Sequence, residues 1–371
     1  MSPWKAAKPS DSIREIDTPA LILDLDAFER NLAKMQQSLS GSQVRLRPHA
    51  KSHKCPEIAA RQIAMGAVGI CCQKVSEAAC FVDHGIQDIL ITNQVVGSTK
   101  LHHLMALARR ARIGVLVDHL EQVMALSAAA TTYGTKLDVY VEVDVGAGRC
   151  GVAPGEATAL LAQAIHMAPC LNFAGLQCYH GAAQHLRTPE MRIAAIRHAA
   201  DVAQQSRSAI EAIGINVPVI TGAGTGSFTH ERDSGVFTEI QAGSYIFMDR
   251  DYADNQRGHG DPVFDHALFV LTAVMSINQH GKVVVDAGLK ASSVDSGMPG
   301  VWQRPGCHYI KASDEHGVIT LPPGKTLPLG EQLWLIPGHC DPTVNLYDEM
   351  ICVRQGMVEA VWQIAARGAV L

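Results

Sequence analysis

The segment Val44-Arg45-Leu46-Arg47-Pro48-His49-Ala50-Lys51-Ser52-His53-Lys54 reads as a short strand running straight into a polar loop. An apolar run, Leu21 to Leu25, precedes it. Counting Val44–Arg47 as the first, the strand-like runs continue as Ala67–Cys72, Asp88–Thr92, Arg112–Val117, Leu137–Asp144, Asn172–Cys178, Val217–Thr221 and Glu239–Phe247. Helical patterns such as Pro56–Met65, Ser98–Ala111 and Pro189–Ile213 lie between them. Eight strand–helix units over about 200 residues are the sequence form of an α/β fold, a (β/α)8 TIM-like barrel. A doubly wound sheet is the alternative, but the G-x-G-x-x-G turn it would carry after its first strand is missing.

After about residue 260 the texture changes. Phe269–Ile277, Lys282–Asp286, Gly317–Leu321, Gln332–Pro337 and Met350–Arg354 are strand-like, with Gly and Pro turns and little helix. The expected organisation is a barrel over residues 20–260 and a C-terminal β domain over 261–371, joined by residues 1–19. Ala20–Leu23 is a candidate to pair with that second domain, which would make it discontinuous.

A length of 371 residues accommodates a barrel plus a smaller domain. With 47% hydrophobic and 18% charged residues the chain can bury a large core. A net charge of −5 argues against non-specific nucleic-acid binding. No apolar run approaches the ~20 residues of a membrane helix, and the polar stretch Met1 to Asp17 has no signal-like apolar core. Ten cysteines occur with no C-x-x-C pair, as expected of a reduced, cytoplasmic protein.

Lys51 stands at the carboxyl end of the first barrel strand, where barrel-type pyridoxal phosphate enzymes hold their cofactor. Taken alone it would read as part of a basic surface loop. Four further features point the other way. Thr221-Gly222-Ala223-Gly224-Thr225-Gly226-Ser227 follows the seventh strand, and Gly243-Ser244-Tyr245 lies in the eighth-strand region. Glycines with interleaved hydroxyls converge on anions, and barrel phosphate sites sit after strands 7 and 8. Gly224, Thr225, Gly226, Ser244 and Tyr245 are therefore candidate phosphate contacts. Arg149, in Gly146-Ala147-Gly148-Arg149-Cys150-Gly151-Val152, is a cation at the same face for a phenolic oxygen or a carboxylate. Tyr179 and His180 end the sixth strand on opposite sides, so one can face the cofactor, with Tyr179 the candidate. His339 and Asp341, two apart in Pro337-Gly338-His339-Cys340-Asp341-Pro342-Thr343, share a face if that segment is extended, whereas Cys340 points away. Oxygen-rich, partly hydrated coordination there suits Mn²⁺ or Mg²⁺ better than structural Zn²⁺.

Arg47-Pro48-His49-Ala50-Lys51, Gly148-Arg149-Cys150-Gly151-Val152, the Thr221–Ser227 loop and His339-Cys340-Asp341-Pro342-Thr343 together resemble the D-threonine aldolase family. The resemblance extends to Cys71-Cys72-Gln73-Lys74-Val75-Ser76-Glu77 and to the ending Ile364-Ala365-Ala366-Arg367-Gly368. That family belongs to the alanine-racemase-like pyridoxal phosphate enzymes, with the eukaryotic-type D-serine dehydratases. The resemblance implies a homodimer whose partner helps complete each site, and a divalent cation beside the cofactor. It also implies a D-3-hydroxy amino acid as substrate, cleaved to glycine and an aldehyde, with His185 as the candidate base. The dehydratases carry His-x-Cys at the second metal position, and Asp341 places this chain nearer the aldolase branch, which D-3-hydroxyaspartate aldolases share. β-Elimination is the competing chemistry. Racemisation needs no metal, and non-catalytic pyridoxal phosphate carriers of related fold lack a second domain.

Overall fold

The computed structural model describes residues 6–371, so Met1–Lys5 of the polar N-terminus lie outside the described residues. After a first strand, β1 (Ala20–Asp24), the chain builds β2 (Arg45–Leu46), β3 (Ile70–Cys72), β4 (Asp88–Gln94), β5 (Arg112–Val117), β6 (Leu137–Glu142), β7 (Leu171–Cys178), β8 (Ile220–Gly222) and β9 (Glu239–Ile240). β2 to β9 are parallel and adjacent in the order β3-β4-β5-β6-β7-β8-β9-β2. A parallel bridge between His49 and Cys71 closes the ring, with the Cys71 amide donating to the Pro48 carbonyl at 2.9 Å. The expected (β/α)8 barrel is the observed one, and helices Pro56–Ala64, Ser98–Ala108 and Pro189–Ala212 fall where their periodicity placed them.

The final barrel strand is shorter than the run Glu239–Phe247 suggested. It ends at Ile240, and Ser244–Ile246 form a turn of 3₁₀-helix. Gly243 explains the break, since a Cβ there would lie 2.5 Å from the His49 carbonyl oxygen. Such close approach to the Lys51 loop is open only to glycine.

Alternation along the strands sorts the core. Cys71, Leu90, Leu116, Tyr140 and Ala174 make one buried cluster, and their neighbours Ile70, Ile89, Val115 and Val139 belong to the larger one shared with the helices. At the amino-terminal ends of the strands charge replaces this packing. Arg47 donates to Glu239 at 3.0 Å and to Asp88 at 2.5 Å, while Arg112 bridges Asp138 at 2.7 Å and Asp88 at 3.4 Å.

The second sheet comprises β10 (Leu268–Gln279), β11 (Lys282–Val285), β12 (Gly300–Val301), β13 (His308–Ala312), β14 (Gly317–Thr320), β15 (Gln332–Ile336), β16 (Glu349–Arg354) and β17 (Met357–Gln363). β12, β13 and β17 were not apparent in the sequence; the first is two residues long and the others mix charged with apolar residues. β1 lies inside this sheet, antiparallel to β10 and parallel to β16. Ala20–Asp24, within the 20–260 segment expected to be barrel, is therefore a strand of the second sheet. Its run of apolar residues on both faces suits a central position. One buried cluster joins Leu21, Leu23 and Phe28 to Tyr245 and Phe247 after the barrel and to Leu268, Val270 and Cys340 beyond it. The two units thus share a core.

Arg47 is nearly buried beside Glu239, which is wholly so. Burial disfavours the guanidinium charge, but Glu239 and Asp88 more than compensate and its pKa is raised. Arg47→Met should strand the Glu239 charge and cost about 3–5 kcal/mol of unfolding free energy. Adding Glu239→Gln should recover much of that loss, as read by urea denaturation.

Candidate active site

At the carboxyl ends of the barrel strands lies a cavity of about 330 Å³. Lys51, Arg149, Tyr179, His185, Gly224, Thr225, Ser244, His339 and Asp341 all line it. Residues from two domains, separated by as many as 290 positions, thus converge on one space of cofactor size.

Lys51 leaves the first strand in a 3₁₀ turn, Ala50–Ser52, capped by His49, whose Nδ1 accepts from the Lys51 amide at 3.3 Å. His49 Nε2 meets Thr92 Oγ1 at 2.9 Å and Gln73 Oε1 at 3.1 Å. Burial, aided by the nearby Lys51 charge, keeps this imidazole neutral by lowering its pKa well below the usual range. Lys51 Nζ lies 3.7 Å from Asp341 Oδ2. Desolvation lowers its pKa, but Asp341 and then Tyr179 outweigh that and the net direction is upward.

Tyr179 and His180 follow the end of β7 at Cys178; Tyr179 lines the cavity, and the His180 ring lies beside Gly146. The Asp144 carboxylate accepts from the Gly146 and Gly148 amides at 3.0 Å and thereby folds the loop that presents Arg149. The Arg149 guanidinium sits 5.8 Å from the centre of the Tyr179 ring and 3.7 Å from Glu142.

Two of the glycine-loop residues singled out from the sequence are not among those lining this cavity. The Gly226 amide donates to Gln184 Oε1 at 2.9 Å, and the residue lines a small cavity behind the loop. Tyr245 is a core residue: its ring packs on Phe264 and its hydroxyl accepts from Gln62 at 3.1 Å. The 3₁₀ turn at Ser244–Ile246 swings it away from the face that a continued strand would have offered. Gly224, Thr225 and Ser244 remain at the cavity.

The metal-site segment is also not extended. His339 has β geometry, but it caps a short helix, Cys340–Val344, that carries Asp341 in its first turn. The two side chains nevertheless share the cavity, and Cys340 is buried, its amide donating to Asp249 Oδ2 at 2.9 Å. His339 Nδ1 pairs with Asp295 Oδ2 at 2.8 Å, which leaves Nε2 as the other ring nitrogen. Burial opposes the imidazolium, but Asp341 and Asp295 outweigh it and the pKa is raised.

The residues fit both groups that the resemblance implies. Thr225 lines the cavity that Lys51 enters, and its Oγ1 is buried without a protein partner among the described residues. An amine, an unpaired hydroxyl and glycine-lined backbone suit a phosphate-bearing aldehyde. Asp341 Oδ1 is likewise buried and unpartnered, and a carboxylate-oriented histidine stands beside it. That is the donor set of a cation with a supporting outer shell.

Several site residues had no clear signal in the sequence. Gln177 and Gln241 hydrogen-bond each other at 2.7 Å in the barrel mouth, yet isolated glutamines carry no motif. Asp249 and Asp251 were detectable in principle, as two carboxylates just after the eighth strand. Asp251 Oδ2 meets His185 Nδ1 at 2.6 Å.

Behind the glycine loop Glu231 accepts from Ser227 Oγ at 2.8 Å, and its other oxygen is buried without a partner. Burial pushes its pKa up to about 7, against the Ser227 hydrogen bond. The folded chain therefore retains a proton that the unfolded chain releases near 4.5. Its stability contribution is full below that value and is lost as pH rises through about 7. Glu231→Gln should flatten the decline, worth roughly 3 kcal/mol, in denaturation series run from about pH 5 to pH 8.

Residues 23–251 match the family model described as alanine racemase, N-terminal domain, and residues 267–353 match a putative serine dehydratase domain. The chain is 50% identical to a D-threonine aldolase of Arthrobacter sp. over 98% of this chain and 96% of that one. It is 45% identical to a 3-hydroxy-D-aspartate aldolase of Paracoccus denitrificans over 98% and 95%. The crystal structure of D-threonine aldolase from Filomicrobium marinum superposes with a TM-score of 0.97 at 51% identity, covering 98% of this chain and all of that one. With the barrel, the second sheet and the shared cavity in place, these likenesses show that the chain belongs to the D-threonine aldolase family of alanine-racemase-like enzymes.

Proposed function

We propose that this chain is a pyridoxal phosphate- and divalent-cation-dependent aldehyde-lyase. It cleaves D-3-hydroxy amino acids, D-threonine and D-allothreonine foremost, to glycine and an aldehyde. The observation that carries this reading is the convergence of Lys51 with His339 and Asp341 on one cavity, with 3.7 Å between Lys51 Nζ and Asp341 Oδ2. The likeness to the Arthrobacter D-threonine aldolase supports it.

Lys51 would hold the cofactor, with Thr225, Gly224 and Ser244 at its phosphate and Arg149 and Tyr179 beside its ring. When bound, the cofactor supplies an electron sink for the Cα–Cβ bonding pair. A cation on His339 and Asp341 would supply Lewis acidity at the substrate hydroxyl, with Mn²⁺ or Mg²⁺ suiting the oxygen-rich set. His185, bound at Nδ1 by Asp251, presents Nε2 as the base for the β-hydroxyl proton. Lys51 or water would return a proton to Cα, and transfer by Lys51 on one face only would make the reverse addition to glycine D-selective. A carboxylate at 341 in place of a thiolate disfavours β-elimination, by likeness to the aldolase branch.

D-3-hydroxyaspartate is the second substrate reading. The 45% identity to a 3-hydroxy-D-aspartate aldolase favours it, and Arg149, whose side chain is 55% exposed, is a cation for a second carboxylate. The same reading carries a homodimer, in which a partner completes the cavity, and a reducing cytoplasm, which suits ten free cysteines. Among the described residues no helix is long and apolar enough to cross a membrane.

Borohydride reduction of the yellow protein should fix the cofactor on Lys51, as peptide mapping will show; label on Lys54 or Lys74 would refute the assignment. Product analysis should find glycine plus acetaldehyde from D-threonine and D-allothreonine, at rates within a few tens-fold of each other because a methyl pocket gains only about 1–3 kcal/mol. Ammonia and a 2-oxo acid would identify a dehydratase instead. Chelation should abolish cleavage while leaving the yellow colour, since cofactor and cation have separate ligands; full activity after exhaustive chelation would remove the cation from the mechanism.

A further inference from the structure

His185 has half its side chain exposed to the cavity, and such a ring would ordinarily be free to turn. Here it is not free. Its Nδ1 lies 2.6 Å from Asp251 Oδ2, on a carboxylate that is almost completely buried. The other carboxylate oxygen, Oδ1, accepts from Arg187 Nη2 at 2.5 Å, and Arg187 Nη1 donates to the Asp251 carbonyl at 2.5 Å and to Asn255 Oδ1 at 2.8 Å. A planar guanidinium thus fixes the carboxylate from side chain and backbone at once. Asn255 in turn donates to the Gln184 carbonyl at 2.9 Å, one residue before His185, which closes the circuit. The same four-residue helix, Arg250–Ala253, reaches the other domain: the Asp251 amide donates to the Gly338 carbonyl at 3.2 Å, next to His339.

We propose that Asp251, clamped by Arg187, is the positioning residue that selects the Nδ1–H tautomer of His185 and aims Nε2 into the cavity. The proposal rests on His185 being the base of the reaction above. A buried carboxylate tied to a guanidinium stays an acceptor, so the ring nitrogen facing it must carry the proton. Nε2 is then left with its lone pair towards substrate. Because the Asp251 backbone is hydrogen-bonded beside His339, the clamp also holds the base in register with the cation ligands of the second domain. Asp251 touches neither substrate nor cofactor in this scheme.

The test uses the holoenzyme with isotope-labelled histidine. The wild type should show a downfield imidazole proton for Nδ1–H of His185 bonded to carboxylate, absent in His185→Ala. Asp251→Asn should lose that resonance and lower kcat about a thousandfold, the scale of a misdirected tautomer. KM for D-threonine, cofactor absorbance and bound cation should stay near wild type, which a general loss of structure would not allow. The double variant with His185→Ala should be no slower than His185→Ala alone, since the two residues act as one unit. If Asp251→Asn does not fold, Arg187→Gln should weaken the resonance and kcat together, and Asp251→Glu should restore part of both. Near-wild-type kcat in Asp251→Asn with His185→Ala inactive would overturn the clamp while leaving the base in place. An active His185→Ala would instead remove the base reading, and the clamp's catalytic role with it.

Discussion

The Cys340 amide donates to the buried Asp249 carboxylate, the Asp251 amide donates to the Gly338 carbonyl, and the Arg250 amide donates to the Pro337 carbonyl. Through these three bonds the end of the barrel chain grips the segment that carries His339 and Asp341. The barrel alone would present Lys51, Arg149 and a glycine loop; the second sheet alone would present two side chains with nothing to act on. Asp249 is pushed up to about 6 by its burial, against the amides it accepts.

Packing on both sides makes the junction stiff. Leu21, Phe28, Tyr245, Phe247, Leu268 and Cys340 belong to one buried cluster, so moving the second sheet relative to the barrel would open apolar surface. Within the second unit Gly338 packs where only glycine fits, because a Cβ there would sit 2.0 Å from the Gly297 carbonyl oxygen. The Tyr245 side chain helps fill this joint.

The two ends of the barrel divide the labour. Charged groups at the amino-terminal ends pair with one another, Arg47 with Glu239 and Asp88, Arg112 with Asp138. At the carboxyl-terminal ends, two residues that line the cavity keep a buried oxygen with no protein partner among the described residues, Thr225 at Oγ1 and Asp341 at Oδ1. Buried polar groups without partners are costly, and these two fit a ligand that supplies what the protein does not.

The barrel was legible because short continuous apolar runs such as Arg112–Val117, separated by helices, leave little choice of architecture. Lys51 and the Thr221–Ser227 loop were legible too, since barrel topology puts every strand's carboxyl end at one face. The sequence likewise marked His339 and Asp341, although for the wrong local geometry, because a two-residue spacing on an extended strand and a cap followed by a first helical turn can aim side chains alike. An apolar strand carries no label for its partners, so Ala20–Leu23 could be marked only as a candidate for the second sheet, where β1 pairs with β10 and β16. Nor did the sequence show that Asp251 would meet both His185 and Arg187, 66 and 64 residues away in the chain. The sequence by itself determined the succession of barrel strands and helices and the longer apolar strands of the second sheet, because propensity and periodicity are local. Only the tertiary structure decided which side chains share the cavity, because that depends on distances set by packing between segments far apart in the chain.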